Sequence, residues 1–123
     1  MFHFIQNTQL EKSVWGVPDG VSMLALSGWL GSGARLVYVA RDDARMMAMR
    51  DGLSRLAPQV ETHLFPAWDC LPFDRLSPQG ALVGQRVETL ARLAEGGAGS
   101  GAGAVLLTTV NAVLQRVPPQ SYF

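Results

Sequence analysis

The stretch Leu36-Val37-Tyr38-Val39-Ala40-Arg41-Asp42-Asp43-Ala44-Arg45-Met46-Met47-Ala48-Met49-Arg50-Asp51-Gly52-Leu53-Ser54-Arg55-Leu56-Ala57-Pro58 decides the fold. Its first five residues are branched or aromatic and apolar, the mark of a strand buried on both faces. From Asp42 to Ala57 the apolar period lengthens: Met46, Met49, Leu53 and Leu56 trace one face of a helix. Asp42 and Asp43 suit the electropositive start of that helix, and Pro58 stops it. A strand that feeds a helix in this way is half of a β-α-β unit.

The same grammar repeats downstream. Val60 to Phe65 and Ala104 to Thr108 read as two more buried strands. Between them, Ser77-Pro78 offers a capping hydroxyl and a first-turn proline for a helix running to about Glu95, with Val83, Val87, Leu90 and Ala94 inward and a Glu88–Arg92 pair outside. Thr109 opens a last helix that carries Val110, Val113, Leu114 and Val117 inward and stops at Pro118-Pro119. Upstream, Val21 to Leu30 reads as a buried helix, and a fourth strand is possible near Val14. Alternation of this kind implies an α/β fold: a parallel sheet in three layers, with helices on both faces. Residues 1–123 form one such subdomain, with a flexible Gly-rich tether at 96–103. A sheet this small, ending without a closing element, suggests a piece of a longer protein.

Ten basic residues balance ten acidic ones in 123 residues, so no global field draws the chain to nucleic acid or an anionic membrane. Cys70 is the only cysteine, which excludes an internal disulfide and suits a reducing, cytoplasmic setting. His3 and His63 lack ligand-like spacing, and no metal site is read. The N-terminus lacks the pattern of a secretory signal, and the longest apolar stretch falls short of the ~20 residues of a membrane span.

Gly16-Val17-Pro18-Asp19-Gly20-Val21-Ser22-Met23 stands where a phosphate loop would precede the first helix. The loop G-x-x-x-x-G-K-[ST] needs a second glycine so that amides can wrap the phosphates, a lysine for their charge and a hydroxyl for magnesium. Those three places hold Val21, Ser22 and Met23. Gly20 is one position early. Two readings stay open: a Gly/Pro turn that merely starts a helix, or a helix end with residual anion affinity. No catalytic residue and no cofactor is assigned.

Other constellations are weaker. Asp42 and Asp43 after an apolar strand imitate a Walker B sequence, but acids at a helix start are expected from the dipole alone. The glycines from Gly28 to Gly33 precede a strand instead of linking a strand to a helix, so they do not make a dinucleotide fingerprint. Gly20 to Leu24 gives only half of a nucleophile elbow.

The most unusual segment is Phe65-Pro66-Ala67-Trp68-Asp69-Cys70-Leu71-Pro72-Phe73-Asp74-Arg75-Leu76-Ser77-Pro78. Prolines stiffen it, while Trp68, Leu71 and Phe73 carry apolar area enough to pack it down or dock a partner. Trp68, Asp69, Leu71, Pro72, Phe73, Asp74 and Arg75 form a candidate docking loop.

That run, followed by Gln85-Arg86-Val87-Glu88-Thr89-Leu90 and by Thr109-Val110-Asn111-Ala112-Val113-Leu114-Gln115-Arg116-Val117-Pro118, resembles the N-terminal region of bacterial transcription-repair coupling factors. The resemblance spans nearly the whole chain, with an insertion at Gly96 to Gly103. It implies a fold like the first domain of the excision-repair protein UvrB, related to P-loop NTPases, with a degenerate phosphate loop. It further implies a non-catalytic module that supports recruitment of UvrA to RNA polymerase stalled at DNA lesions. Other domains of the parent chain are expected as partners, and DNA, RNA polymerase and UvrA through the parent protein, whose ATP-driven translocase lies elsewhere in its chain. The alternative is a residual ATP-binding domain completed by another domain.

Overall fold

A computed structural model describes residues 2–6, 10–69, 78–95 and 103–122. Strands β3 (Arg35–Ala40), β4 (Glu61–Phe65) and β5 (Ala104–Thr109) form a parallel sheet in the order β3-β5-β4. Residues Tyr38, Leu107 and Leu64 lie in register across it. Helix α1 (Asp19–Gly31) leads into β3, α2 (Asp43–Leu56) joins β3 to β4, and α3 (Gly80–Ala94) precedes β5. The fold is α/β, as the alternation of patterns requires.

The strand order explains where the helices lie. The chain crosses from β3 over β5 to β4, then reverses to insert β5 between them. Right-handed crossovers running in opposite directions must use opposite faces of the sheet. The contacts agree. Leu36, Tyr38, Ala40, Val105, Leu107 and Leu64 point to the face covered by α1 and α2, where they pack with Leu26, Leu30, Met46, Met49 and Leu53. Glu61 and Phe65, which point the other way, meet Arg92 and Arg86 of α3.

Helix α2 matches its sequence pattern closely. Asp42 caps it, accepting a hydrogen bond from the Arg45 backbone N–H at 2.8 Å. Met46, Met49 and Leu53 are buried, while Leu56 faces solvent. Helix α1 is not buried all round: Ser22, Leu26 and Leu30 face the core, but Val21 and Leu24 are exposed. Gly33 follows α1 with φ 85, a left-handed residue that turns the chain into β3.

Three further expectations need correction. Helix α3 starts at Gly80, because Gln79 remains extended at ψ 131 and keeps Pro78 outside the helix; Ser77 lies outside the described residues. The buried face of α3 is centred on Arg86 and Thr89, which turns Val87 outward. The last helix, α4, is a single turn, Val110–Val113, capped by the Thr109 hydroxyl. Only Ala112 of that turn is buried, and Val110, Val113, Leu114 and Val117 are exposed.

Near Val14 there is a strand, β2 (Leu10–Val14), but it does not extend the parallel sheet. It pairs antiparallel with β1 (Phe2–Gln6) in a separate two-stranded ribbon. Of the tether at 96–103, only Gly103 is described; it is buried and adjoins the end of α1.

Candidate functional site

Two places in the sequence invited a functional reading, and both belong to the edge of the sheet where the parallel strands end. The first is Gly16 to Met23. Gly16 adopts φ 68, so the turn itself requires a glycine there, independent of any ligand. The Pro18 carbonyl accepts the backbone N–H groups of Val21 and Ser22 at 3.0 and 3.2 Å and the Ser22 hydroxyl at 3.2 Å. Ser22 is buried. Val21, at the place of the second glycine, faces solvent. Met23 packs its thioether on Gly52 of α2, where a Cβ would stand 2.3 Å from the sulfur. A Cβ at Gly20 would meet nothing within 4 Å.

Charge at this helix start is supplied from within the chain. Asp19, the first residue of α1, pairs with Arg45 of α2, and Arg41 pairs with Asp42 at 3.0 Å. The Arg45 N–H and then the Arg41 side chain hold the Asp42 carboxyl below its usual range. Burial raises the Tyr38 hydroxyl above its ordinary pKa, and the neighbouring Arg45 opposes that shift. Arg41 and Arg45, the basic side chains at this helix start, face carboxylates.

The second place is the root of the aromatic loop. Pro66 is buried, Trp68 half-buried and Asp69 exposed; Leu71, Pro72, Phe73, Asp74 and Arg75 lie outside the described residues. Under this root sits Arg86 of α3, only 2% exposed. Its guanidinium carbon stands 4.0 Å from the centre of the Phe65 ring and 4.3 Å from that of Trp68. Nη1 donates to the Pro66 carbonyl and, at 3.1 Å, to Oε1 of Gln115. The same Oε1 accepts the Trp68 backbone N–H at 2.9 Å.

Burial lowers the pKa of Arg86, yet arginine is so strong a base that the group remains charged at neutral pH. Its charge is offset by two carbonyl-type oxygens and two aromatic faces. Nearby, the Thr89 hydroxyl donates to the Leu64 carbonyl at 2.7 Å, and the Thr108 hydroxyl to the Phe65 carbonyl at 2.9 Å. The end of β4 is therefore tied to α3 and β5 by side chains. The arrangement clamps a loop; among the described residues it contains no nucleophile with a base beside it, and no group of three potential metal ligands occurs anywhere among them.

Arg86 and Gln115 were not singled out as site residues by the sequence. Their signal was only indirect: they belong to the second and third segments that carry the family resemblance. An arginine within an otherwise apolar helix face, three residues before Thr89, marks a buried polar clamp once the face is drawn correctly.

No family model matches the chain. Comparison with curated proteins finds transcription-repair-coupling factors: 31% identity over 87 residues with that of Escherichia coli (strain K12), covering 71% of this chain and 7% of the relative. The protein of that name from Haemophilus influenzae is 29% identical over 115 residues, 91% of this chain and 9% of the relative. That of Rickettsia prowazekii is 33% identical over 61 residues, half of this chain and 5% of the relative. The chain thus spans less than a tenth of the length of the relatives it matches, and the family resemblance read from its motifs is supported by all three.

Proposed function

We propose that this chain, similar over most of its length to transcription-repair-coupling factors, is a non-catalytic module of such a factor that helps recruit UvrA to RNA polymerase stalled at DNA lesions. The observation that carries this reading is the convergence of its three motif segments on one buried side chain: Arg86 touches Trp68 from the first and Gln115 from the third. Residues far apart in sequence are spent on fixing the base of a loop, which is what a docking platform needs and what a nucleotide pocket does not.

A residual ATP-binding domain is the competing reading. Against it stand the absent lysine, the Ser22 hydroxyl bonded to its own loop, the thioether of Met23 packed on Gly52, and the Asp19 carboxylate at the helix start. The ATP-driven translocation proposed for the parent protein belongs to another part of its chain, and DNA and RNA polymerase are met through that part.

The test is a parent factor carrying Trp68→Ala. Captured UvrA should fall several-fold while DNA-stimulated ATP hydrolysis by the factor is retained. Unchanged UvrA capture in a correctly folded variant would remove the recruitment role.

A further inference from the structure

Arg86 is a buried cation without an anion. It is 2% exposed, yet no carboxylate pairs with it among the described residues. Elsewhere on α2 and α3, Arg45 faces Asp19, Arg50 faces Asp51, and Arg92 faces both Glu61 and Glu88. The acids of β4 and α3 are thus committed to Arg92, and Asp69, next to Trp68, faces solvent. A buried charge is costly unless an opposite charge or dense hydrogen bonding compensates it. The Pro66 and Gln115 oxygens and the two rings supply dipoles, not a full negative charge.

The hydrogen bonds also use only part of the guanidinium. Both run from Nη1, to Pro66 and to Gln115. Nε and Nη2 have no acceptor among the described residues, although arginine carries donors on every guanidinium nitrogen, set in a rigid fork. No fully enclosed side-chain nitrogen or oxygen among those residues lacks a partner, so the Nε–Nη2 edge is not sealed from outside. Phe65 and Trp68 crowd the guanidinium carbon from 4.0 and 4.3 Å, which leaves the plane of the fork as the approach for an acceptor. Two parallel N–H groups on one edge, approached in plane, match the two oxygens of a carboxylate.

We infer that the Nε–Nη2 edge of Arg86 is a receptor for an aspartate or glutamate side chain of the protein that docks at the root of the aromatic loop. The inference rests on the reading of this chain as a recruitment module, and it assigns the anchoring chemistry. An acidic residue on the partner, entering beside Trp68, completes a charge pair that the described part of the chain leaves open. The pair forms in a shielded setting, where a charge-assisted bidentate contact is stronger than at an open surface.

Sodium acetate is the probe, titrated into the isotope-labelled chain at constant ionic strength so that screening does not change, and followed by NMR. The Arg86 Nε–H signal, identified by its loss in Arg86→Lys, should move saturably, with an affinity at least about tenfold that of exposed Arg55. Gln115→Glu, which sets a carboxylate against Nη1 from within the chain, should abolish the acetate response and raise the urea midpoint. In the parent factor the same substitution should cut UvrA capture several-fold. An Arg86 signal that moves no more than that of Arg55 would overturn the inference. A tighter response to dimethyl phosphate than to acetate would also overturn it, marking a nucleic-acid backbone instead. Where Trp68→Ala lowers UvrA capture, a folded Gln115→Glu factor that still captures UvrA fully overturns it as well. Should Gln115→Glu not fold, the acetate titration of the unsubstituted chain decides alone. Lost capture in Trp68→Ala with no acetate response sinks this inference and spares the recruitment reading. A saturable acetate response with undiminished capture in Trp68→Ala sinks recruitment of UvrA and leaves the carboxylate site standing.

Discussion

The guanidinium of Arg86 stands 4.3 Å from the ring of Trp68, and both residues bond the same Gln115 oxygen, one through its side chain and one through its backbone. Three distant segments are thereby held by one buried charge. Truncating Arg86 to Ala removes two aromatic contacts and leaves the Pro66 carbonyl with a lost donor in a buried setting. Arg86→Ala is expected to destabilise the chain by about 3 kcal/mol in urea melts, the range for a buried charged hydrogen-bonding group. Arg86→Lys should recover less than half, since an ammonium offers neither the planar stack nor the forked donors. Full recovery by Lys would show that charge alone matters there.

Trp68 and Asp69 are neighbours in the most unusual segment of the sequence, yet the structure divides them. Trp68 is half-buried on Arg86, and Asp69 faces water. Trp68→Ala should cost about 2 kcal/mol and Asp69→Ala no more than about 0.5 kcal/mol. The same order is expected in UvrA pull-downs with the parent factor. Equal effects of the two substitutions, in both melts and pull-downs, would contradict the clamp as the root of the docking loop.

Asp42 gives a stability effect with a defined pH sign. Its carboxylate accepts the Arg45 N–H at the start of α2, which holds its folded pKa below 3.8. A depressed carboxyl pKa contributes stability that is present above the unfolded value and lost as pH falls through the folded one. Asp42→Ala should therefore lower the stability at neutral pH through loss of the helix cap. The difference from the parent sequence should shrink as pH drops below 3.8. A gap that stays constant down to full protonation would mean the cap is not the cause.

How far the sequence reached can be judged element by element. Strand β3 and helix α2 were legible as elements because Asp42 and Pro58 mark the helix ends, but β3 is not buried on both faces as its apolar run implies: Val37 and Val39 are exposed. The phosphate-loop position was legible as a list of missing groups. What each substitute does instead, Ser22 on Pro18 and Met23 on Gly52, depends on the packing of α1 against α2, which spacing alone does not encode. The inward face assigned to Val110, Val113, Leu114 and Val117 failed for a related reason. Periodicity reports which residues would share a face if the helix formed, but α4 stops after one turn at Val113 and leaves Val117 outside it.

Glycine composition misled in one place and offers a sharp contrast. Gly103 closes what reads as a low-complexity tether, but a Cβ there would lie 2.0 Å from the Leu30 carbonyl oxygen. Gly28, inside α1, has nothing within 4 Å of such an atom. Gly103→Ala should therefore cost roughly 2 kcal/mol or more, because backbone must move. Gly28→Ala should stabilise by about 0.5–1 kcal/mol, as expected for a helical glycine in open space. Thermal melts of the two single variants separate the claims, and a harmless Gly103→Ala would show that the close approach of β5 to α1 is easily relaxed.

The last prediction concerns the loop from Gly16 to Met23. A nucleotide bound at 100 times its Kd would stabilise the folded state by about 2.7 kcal/mol. For a domain of this size that corresponds to a rise in Tm on the order of 10 °C. Binding would have to displace the Asp19–Arg45 pair or free the Ser22 hydroxyl from Pro18, and it would still lack a lysine for the β- and γ-phosphates. Millimolar Mg-ATP should thus leave the melting temperature of this module unchanged. Asp19→Asn, which takes the carboxylate from the helix start, is the variant most disposed to acquire anion affinity, so it is the stricter control. A saturable rise in the unsubstituted chain would restore the ATP-binding reading, whereas a rise confined to Asp19→Asn would identify Asp19 as the group that keeps phosphate out.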